Sequence, residues 1–185
     1  MKAILPAIAI AASGMMGLAS LSAHAADGTI TITGTVSDTT CSINGAATGT
    51  SADKSITLPS VSAGSLSTAG NVGGTSSPSD LALTLSGCSG AATKAIARFE
   101  NGPTVDQNNG YLNNSGTATK VQVRLLNAQM QPINITTNAN NDISANATMI
   151  TSGGASLKYF AQYYSAGKAT AGTVSTSVQY TMQYQ

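Results

Sequence analysis

Residues 28–34 alternate without a break: Gly28, Ile30, Ile32 and Gly34 fall on one parity, and Thr29, Thr31 and Thr33 on the other. A period of two marks a β-strand and puts both isoleucines on one face. The same period recurs down the chain. Residues 33–43 continue the first segment into a strand carrying Val36 and Cys41, closed by the turn signal Asn44-Gly45. A short strand is predicted over 54–59, stopping at Pro59, and then a polar, Gly/Ser-rich stretch over 60–79 that is loop or weak edge structure. Leu81, Leu83 and Leu85 alternate through 80–88 and deliver Cys88 to the end of a half-buried strand; another strand follows at 94–100. After loop material at 102–117, residues 119–127 form the strongest strand, with Val121, Val123 and Leu125 facing in and Lys120, Gln122 and Arg124 facing out. Residues 132–136 are its hairpin partner across a turn at 127–131, and 138–154 is polar and turn-rich. Two long strands close the chain, 157–165 and 174–185, joined by a turn at 167–172. Short strands at this spacing, with no amphipathic helix and no internal repeat, predict an all-β sandwich.

The last of these strands puts Val174, Thr176, Val178, Tyr180, Met182 and Tyr184 on one parity and runs to Gln185. An immunoglobulin-like sandwich has a further strand beside that position. Two readings stay open: an ordinary sandwich ending here, or an incomplete one whose uncovered edge and apolar cleft need a partner.

The opening segment reads differently. Residues 1–25 hold one basic residue, Lys2, then a weakly apolar run ending in Ala23-His24-Ala25, the pattern of a cleaved secretory signal peptide. A retained membrane anchor is the competing reading, but Pro6, Gly14 and Gly17 weaken the helix and no basic cluster follows. Export is therefore expected.

Composition then narrows the class. The chain has eight Lys/Arg against seven Asp/Glu, and Lys2 lies in the leader, so the remainder is balanced and offers no basic stripe for nucleic acid. Low charge is a solubility hazard for a free monomer and tolerable in a subunit that ends inside an assembly. The two cysteines, Cys41 and Cys88, suit one disulfide in an oxidising compartment. Metal binding and a catalytic thiol are weaker readings, because the single histidine, His24, lies in the leader. Its absence from the rest also leaves a serine or cysteine nucleophile without its usual base. Asp27, Asp38, Asp53, Asp80, Glu100, Asp106 and Asp142 form no recognisable catalytic pair. The chain reads as a non-enzyme with no cofactor.

These residues together resemble the chaperone–usher fimbrial subunits, the pilins of the type 1 family. Residues 27–34 running into 35–41 are similar to that family's N-terminal extension and first strand, with wording close to the Bordetella-type subunits. Cys41 and Cys88 match its disulfide, and residues 159–164, 169–172 and 180–185 match its ending, penultimate tyrosine included. The resemblance implies an incomplete immunoglobulin-like sandwich lacking its seventh strand, with residues 1–25 as signal peptide, 26–35 as donor-strand extension and 36–185 as pilin domain. It implies Gly28, Ile30, Ile32 and Gly34 as the donor strand. Val174, Val178, Tyr180, Met182, Tyr184 and Gln185 would form the groove-lining last strand that a periplasmic chaperone first covers. An outer-membrane usher would then exchange the chaperone for the extension of the next subunit. The expected partners are other copies or sibling subunits, that chaperone and usher, and host surface receptors met by the filament. The extension is a few residues shorter than in the best-known type 1 subunits, so fewer pockets are filled or the outermost is filled differently. A minor or adaptor subunit of the same fimbria is the near alternative. A stand-alone secreted carbohydrate-binding sandwich is the distant one, resting on polar loops such as 108–116 without a tryptophan platform.

Overall fold

The computed structural model describes residues 30–34, 36, 38 and 40–185. The proposed leader and Gly28 lie outside the described residues. The chain divides into two units between Thr35 and Val36.

In the second unit, alternating leucines and aromatics build the larger sheet. β3 (Leu81–Ser89) pairs antiparallel with β8 (Ala155–Ser165), from Leu81↔Tyr159 to Leu85↔Ala155. On the far side of β8 lies β6 (Val121–Leu126), in register from Val121↔Ser165 to Leu126↔Phe160. β1 (Thr40–Ile43) adds to β3, and the two-residue strands β2 (Val72–Gly73) and β5 (Leu112–Asn113) add to β8 and β6. The smaller sheet has β4 (Lys94–Phe99) at its centre, between β7 (Thr148–Met149) and β9 (Tyr180–Tyr184).

The sheets enclose one main core, with Leu83, Leu85, Val123, Leu125, Leu157 and Tyr159 from the larger meeting Ala95, Ala97 and Phe99 from the smaller. The rings of Phe99 and Tyr159 meet edge to face at 5.0 Å, the orientation that aligns a ring's positive edge with its neighbour's negative face. The fold is all-β, as expected, and Cys41 and Cys88 are bonded, pinning β1 to the end of β3.

The local signals fare unevenly. Asn44 and Gly45 both take positive φ, at 49° and 79°, as a tight two-residue hairpin turn requires. At the 127–131 turn, Asn127 Oδ1 accepts the N–H groups of Gln129 and Gln131, and Ile133 N–H returns to Leu125 C=O. Residues 54–59 keep the predicted alternation, with Ile56 and Leu58 half-buried against the core, but join no ladder. Residues 30–34 are likewise outside any strand, and the strand expected over 174–185 is a ladder only from Tyr180 to Tyr184.

Gln122 corrects the parity reading of β6. It is buried, not solvent-facing, because the loop before β5 folds over it. Its amide donates to Asp106 Oδ2 at 2.8 Å and to Asn113 Oδ1 at 3.2 Å, and accepts from Asn109 at 2.8 Å. Hydrogen bonds from the Asn108 backbone and from Gln122 hold the Asp106 carboxyl below its usual range. Arg124 is half-buried and reaches Gln162 Oε1 through two nitrogens.

Candidate functional site: a groove beside the last strand

Among the described residues, β9 is paired along one edge only. Lys94 and Gln185 exchange backbone hydrogen bonds at 2.9 and 3.0 Å, and Glu100 N–H reaches Gln179 C=O at 2.9 Å. An antiparallel ladder alternates, so the odd-numbered residues of this segment address β4 and the even ones turn their N–H and C=O groups to the opposite edge. Upstream of β9 the same parity holds. The carbonyls of Thr173, Ser175 and Ser177 accept from Ala118 N–H, Ser115 N–H and the Thr104 hydroxyl. Among the described residues no strand occupies the opposite edge. Among the described residues, the backbone groups of Val174, Thr176 and Val178 find no hydrogen-bond partner there.

Side chains alternate with the same period. Val174, Thr176, Val178, Tyr180, Met182 and Tyr184 form a half-buried row, whereas Ser175, Ser177, Gln179 and Thr181 are exposed. The row walls a cleft of about 1220 Å³, whose floor includes Leu83, Leu112, Val123, Leu125 and Tyr159 and whose other wall is residues 48–58. The Tyr180 hydroxyl donates to Ala52 C=O at 2.8 Å, between one wall and the other. Burial, and then the charge of Asp53, raise the Tyr180 phenol; burial alone raises that of Tyr184. Both rings stay neutral, as an apolar groove requires.

At the Val174 end a second hollow of about 220 Å³ shares Val174 and Tyr163 with the cleft. Leu66, Ala118, Val121 and Ala169 pack around it as a separate small core. The chain therefore carries an apolar trough along an unpaired backbone edge, the geometry that accepts one added strand.

The sequence profile of the fimbrial protein family matches residues 30–185. The chain belongs to the fimbrial protein family.

This fimbrial subunit is 40% identical over 176 residues to the major fimbrial subunit SMF-1 of Stenotrophomonas maltophilia, covering 92% of the chain and 99% of the relative. It is 37% identical over 179 residues to the F17 fimbrial protein of Escherichia coli, covering 93% and 96%. It is also 35% identical over 181 residues to the minor fimbrial subunit HifD of Haemophilus influenzae, covering 90% and 78%. Among solved structures it is similar to a subunit from a chaperone–usher pilus studied for rod uncoiling. The TM-score there is 0.58 at 26% identity, over 86% of this chain and 96% of that one. The fold also matches that of the P pilus rod subunit PapA, with TM-score 0.55, over 78% of this chain and 99% of that one. The protein is a structural subunit of a cell-surface fimbria, exported through the periplasm, with an incomplete immunoglobulin-like fold.

Of the fimbrial subunit's predicted site residues, the structure gathers Val174, Val178, Tyr180, Met182 and Tyr184 on the cleft wall. Gln185 instead closes the ladder to Lys94. Ile30 and Ile32 are each 90% exposed and Gly34 is exposed. Val36, expected in the first strand, is 100% exposed and outside any strand. Sequence reasoning missed that residues 48–58 form a wall, although the alternation at 54–59 was read, and it missed the hollow at Val174; the packing of loops made both.

Proposed function

We propose that this subunit polymerises by strand addition, residues 26–35 of one copy filling the cleft of the next while residues 36–185 form the body. One observation carries the reading. The even-numbered row from Val174 to Tyr184 offers an unpaired backbone edge beside an apolar trough, and a row of exposed apolar residues stands elsewhere in the same chain. Backbone pairing along the edge and isoleucines in the trough are the two halves of a β-augmentation. Burying each isoleucine contributes roughly 1.5–3 kcal/mol. Donor and acceptor are different surfaces, so the contact repeats head to tail and grows a filament rather than closing a dimer.

An open apolar edge is an aggregation hazard before assembly. A periplasmic chaperone that covers it temporarily, and an outer-membrane usher where the exchange occurs, follow from that hazard and from the family. The subunit is a building block and not a catalyst, and adhesion belongs to the filament. Its relatives include both a major and a minor subunit; we assign the major role on the relative with 40% identity over nearly its whole length.

Material sheared from the cell surface and run on an SDS gel, unheated beside heated, tests the reading. A ladder of multimers that collapses to one band on heating is expected. A single monomer band in both lanes would overturn it.

A further inference from the structure

The Tyr180 hydroxyl reaches from the last strand across the cleft and donates to the Ala52 carbonyl at 2.8 Å. Ala52 stands in the wall of residues 48–58, which belongs to no ladder. The tip of that wall is lightly held. Among the described residues, the backbone N–H groups of Ser51, Ala52 and Asp53 donate to no backbone carbonyl, and Tyr180 is the tip's only tie to the last strand. On one side of the tip Gly49 sits at φ 80° with open space around it, where a residue without Cβ lets the chain turn at no steric cost. On the other side Lys54 Nζ donates to the carbonyls of Ser79 and Ala82 at 3.3 and 3.1 Å, and Ile56 and Leu58 pack against the core. The wall is therefore anchored from Lys54 onward and hinged at Gly49, with residues 50–53 between.

We infer that residues 50–53 form a flap latched over the cleft by the Tyr180–Ala52 hydrogen bond, so that Tyr180 gates the entry of an added strand. This rests on the strand-addition reading above. A strand added to the open edge of β9 lies about 4.8 Å from it. The Tyr180 side chain crosses that strip to reach the facing wall, so the strand displaces the latch as it enters. The hydroxyl gives up the Ala52 carbonyl, and the flap swings outward about Gly49.

The strength of the latch suits a gate. One neutral hydrogen bond contributes little net stability, enough to slow entry and too little to forbid it. Burial, and then the charge of Asp53 beside Ala52, keep the phenol protonated and so keep the donor in place. Until a partner arrives, the flap narrows the mouth of an edge that would otherwise lie open to any extended chain.

Two measurements on the purified, exported full chain test this. The probe is a dye-labelled peptide with the sequence of residues 27–38, whose fluorescence anisotropy gives association and dissociation rates separately. Tyr180→Phe keeps the ring and loses the donor. It should take up the peptide about fivefold faster than wild type, with dissociation unchanged. An equal association rate, or a change in dissociation alone, overturns the gate. The second measurement closes the latch covalently. Ala52→Cys with Tyr180→Cys, bridged by a short bis-maleimide, should lose peptide uptake, whereas the same variant with each thiol capped by N-ethylmaleimide should retain it. Equal uptake by the two forms overturns the flap. No uptake by the unsubstituted chain removes strand addition itself and the gate with it, a result distinct from any comparison among chains that bind.

Discussion

The phenol oxygen of Tyr159 accepts the backbone N–H of Ala97 at 3.0 Å, joining β8 of the larger sheet to β4 of the smaller through the core. Past Ala95 the short β7 no longer pairs with β4, so the Ala97 backbone has no ladder partner on that side. Tyr159 satisfies its N–H, and the Asn141 amide satisfies its C=O at 2.9 Å. Tyr159→Phe keeps the ring on Phe99 but strands that N–H in the core. The expected loss is about 1–3 kcal/mol, read as a lower urea midpoint. An unchanged midpoint would mean that water replaces the phenol.

The same residue gives a pH dependence. Burial pushes the Tyr159 phenol from 10 up to about 12, because its anion would sit in the core. An unfolded tyrosine ionises near 10, so stability is level below that pH and falls as pH rises to about 12, at roughly 1.4 kcal/mol per pH unit. Tyr163, Tyr180 and Tyr184 are raised in the same direction by burial and add to the slope. Urea midpoints between about pH 8 and 12 should show the fall, and Tyr159→Phe should make it shallower. An equal slope in the variant would place the titration elsewhere.

The disulfide closes a loop of 47 residues between Cys41 and Cys88. Constraining the unfolded chain in that way is worth about 4 kcal/mol as an upper bound. Cys41→Ala with Cys88→Ala should lower stability by up to that amount, measured by urea unfolding against the oxidised parent. A drop below about 1 kcal/mol would mean that packing of β1 alone holds this corner.

Ile30 and Ile32, exposed in the single chain, are expected to hold neighbouring subunits together. Replacing both with Asp should abolish SDS-resistant multimers while the subunit still accumulates in the periplasm. Normal filaments from this variant would remove residues 26–35 from the contact.

Gly116 holds the start of the last segment in place. A Cβ there would run into the Thr173 carbonyl oxygen, in the bridge where Ala118 N–H and the Thr117–Thr173 pair fasten residues 114–118 to 173–175. Gly116→Ala should cost about 1–3 kcal/mol. Gly102→Ala, whose Cβ meets nothing within 4 Å, should be close to neutral in the same thermal scan.

Much of this fold was legible in the chain. The period of two in residues 80–88, 119–127 and 157–165 predicted β3, β6 and β8, because a strand buried on one face must alternate apolar and polar positions. The cysteine pair and the Asn44-Gly45 turn were readable for equally local reasons, a covalent option and a backbone conformation that few residues tolerate. The even-numbered row from Val174 to Tyr184 was also visible. What the sequence could not decide is which of those alternating segments would find a ladder. Residues 54–59 have the pattern and no ladder, while Gln122 has a polar side chain and a buried place, because the loop before β5 folds over it. The groove and its second wall at 48–58 likewise exist only once the sheets are packed. Periodicity records which face of a segment prefers to be dry. Whether another strand arrives to cover its edge depends on residues far along the chain, so the tertiary structure alone decides it.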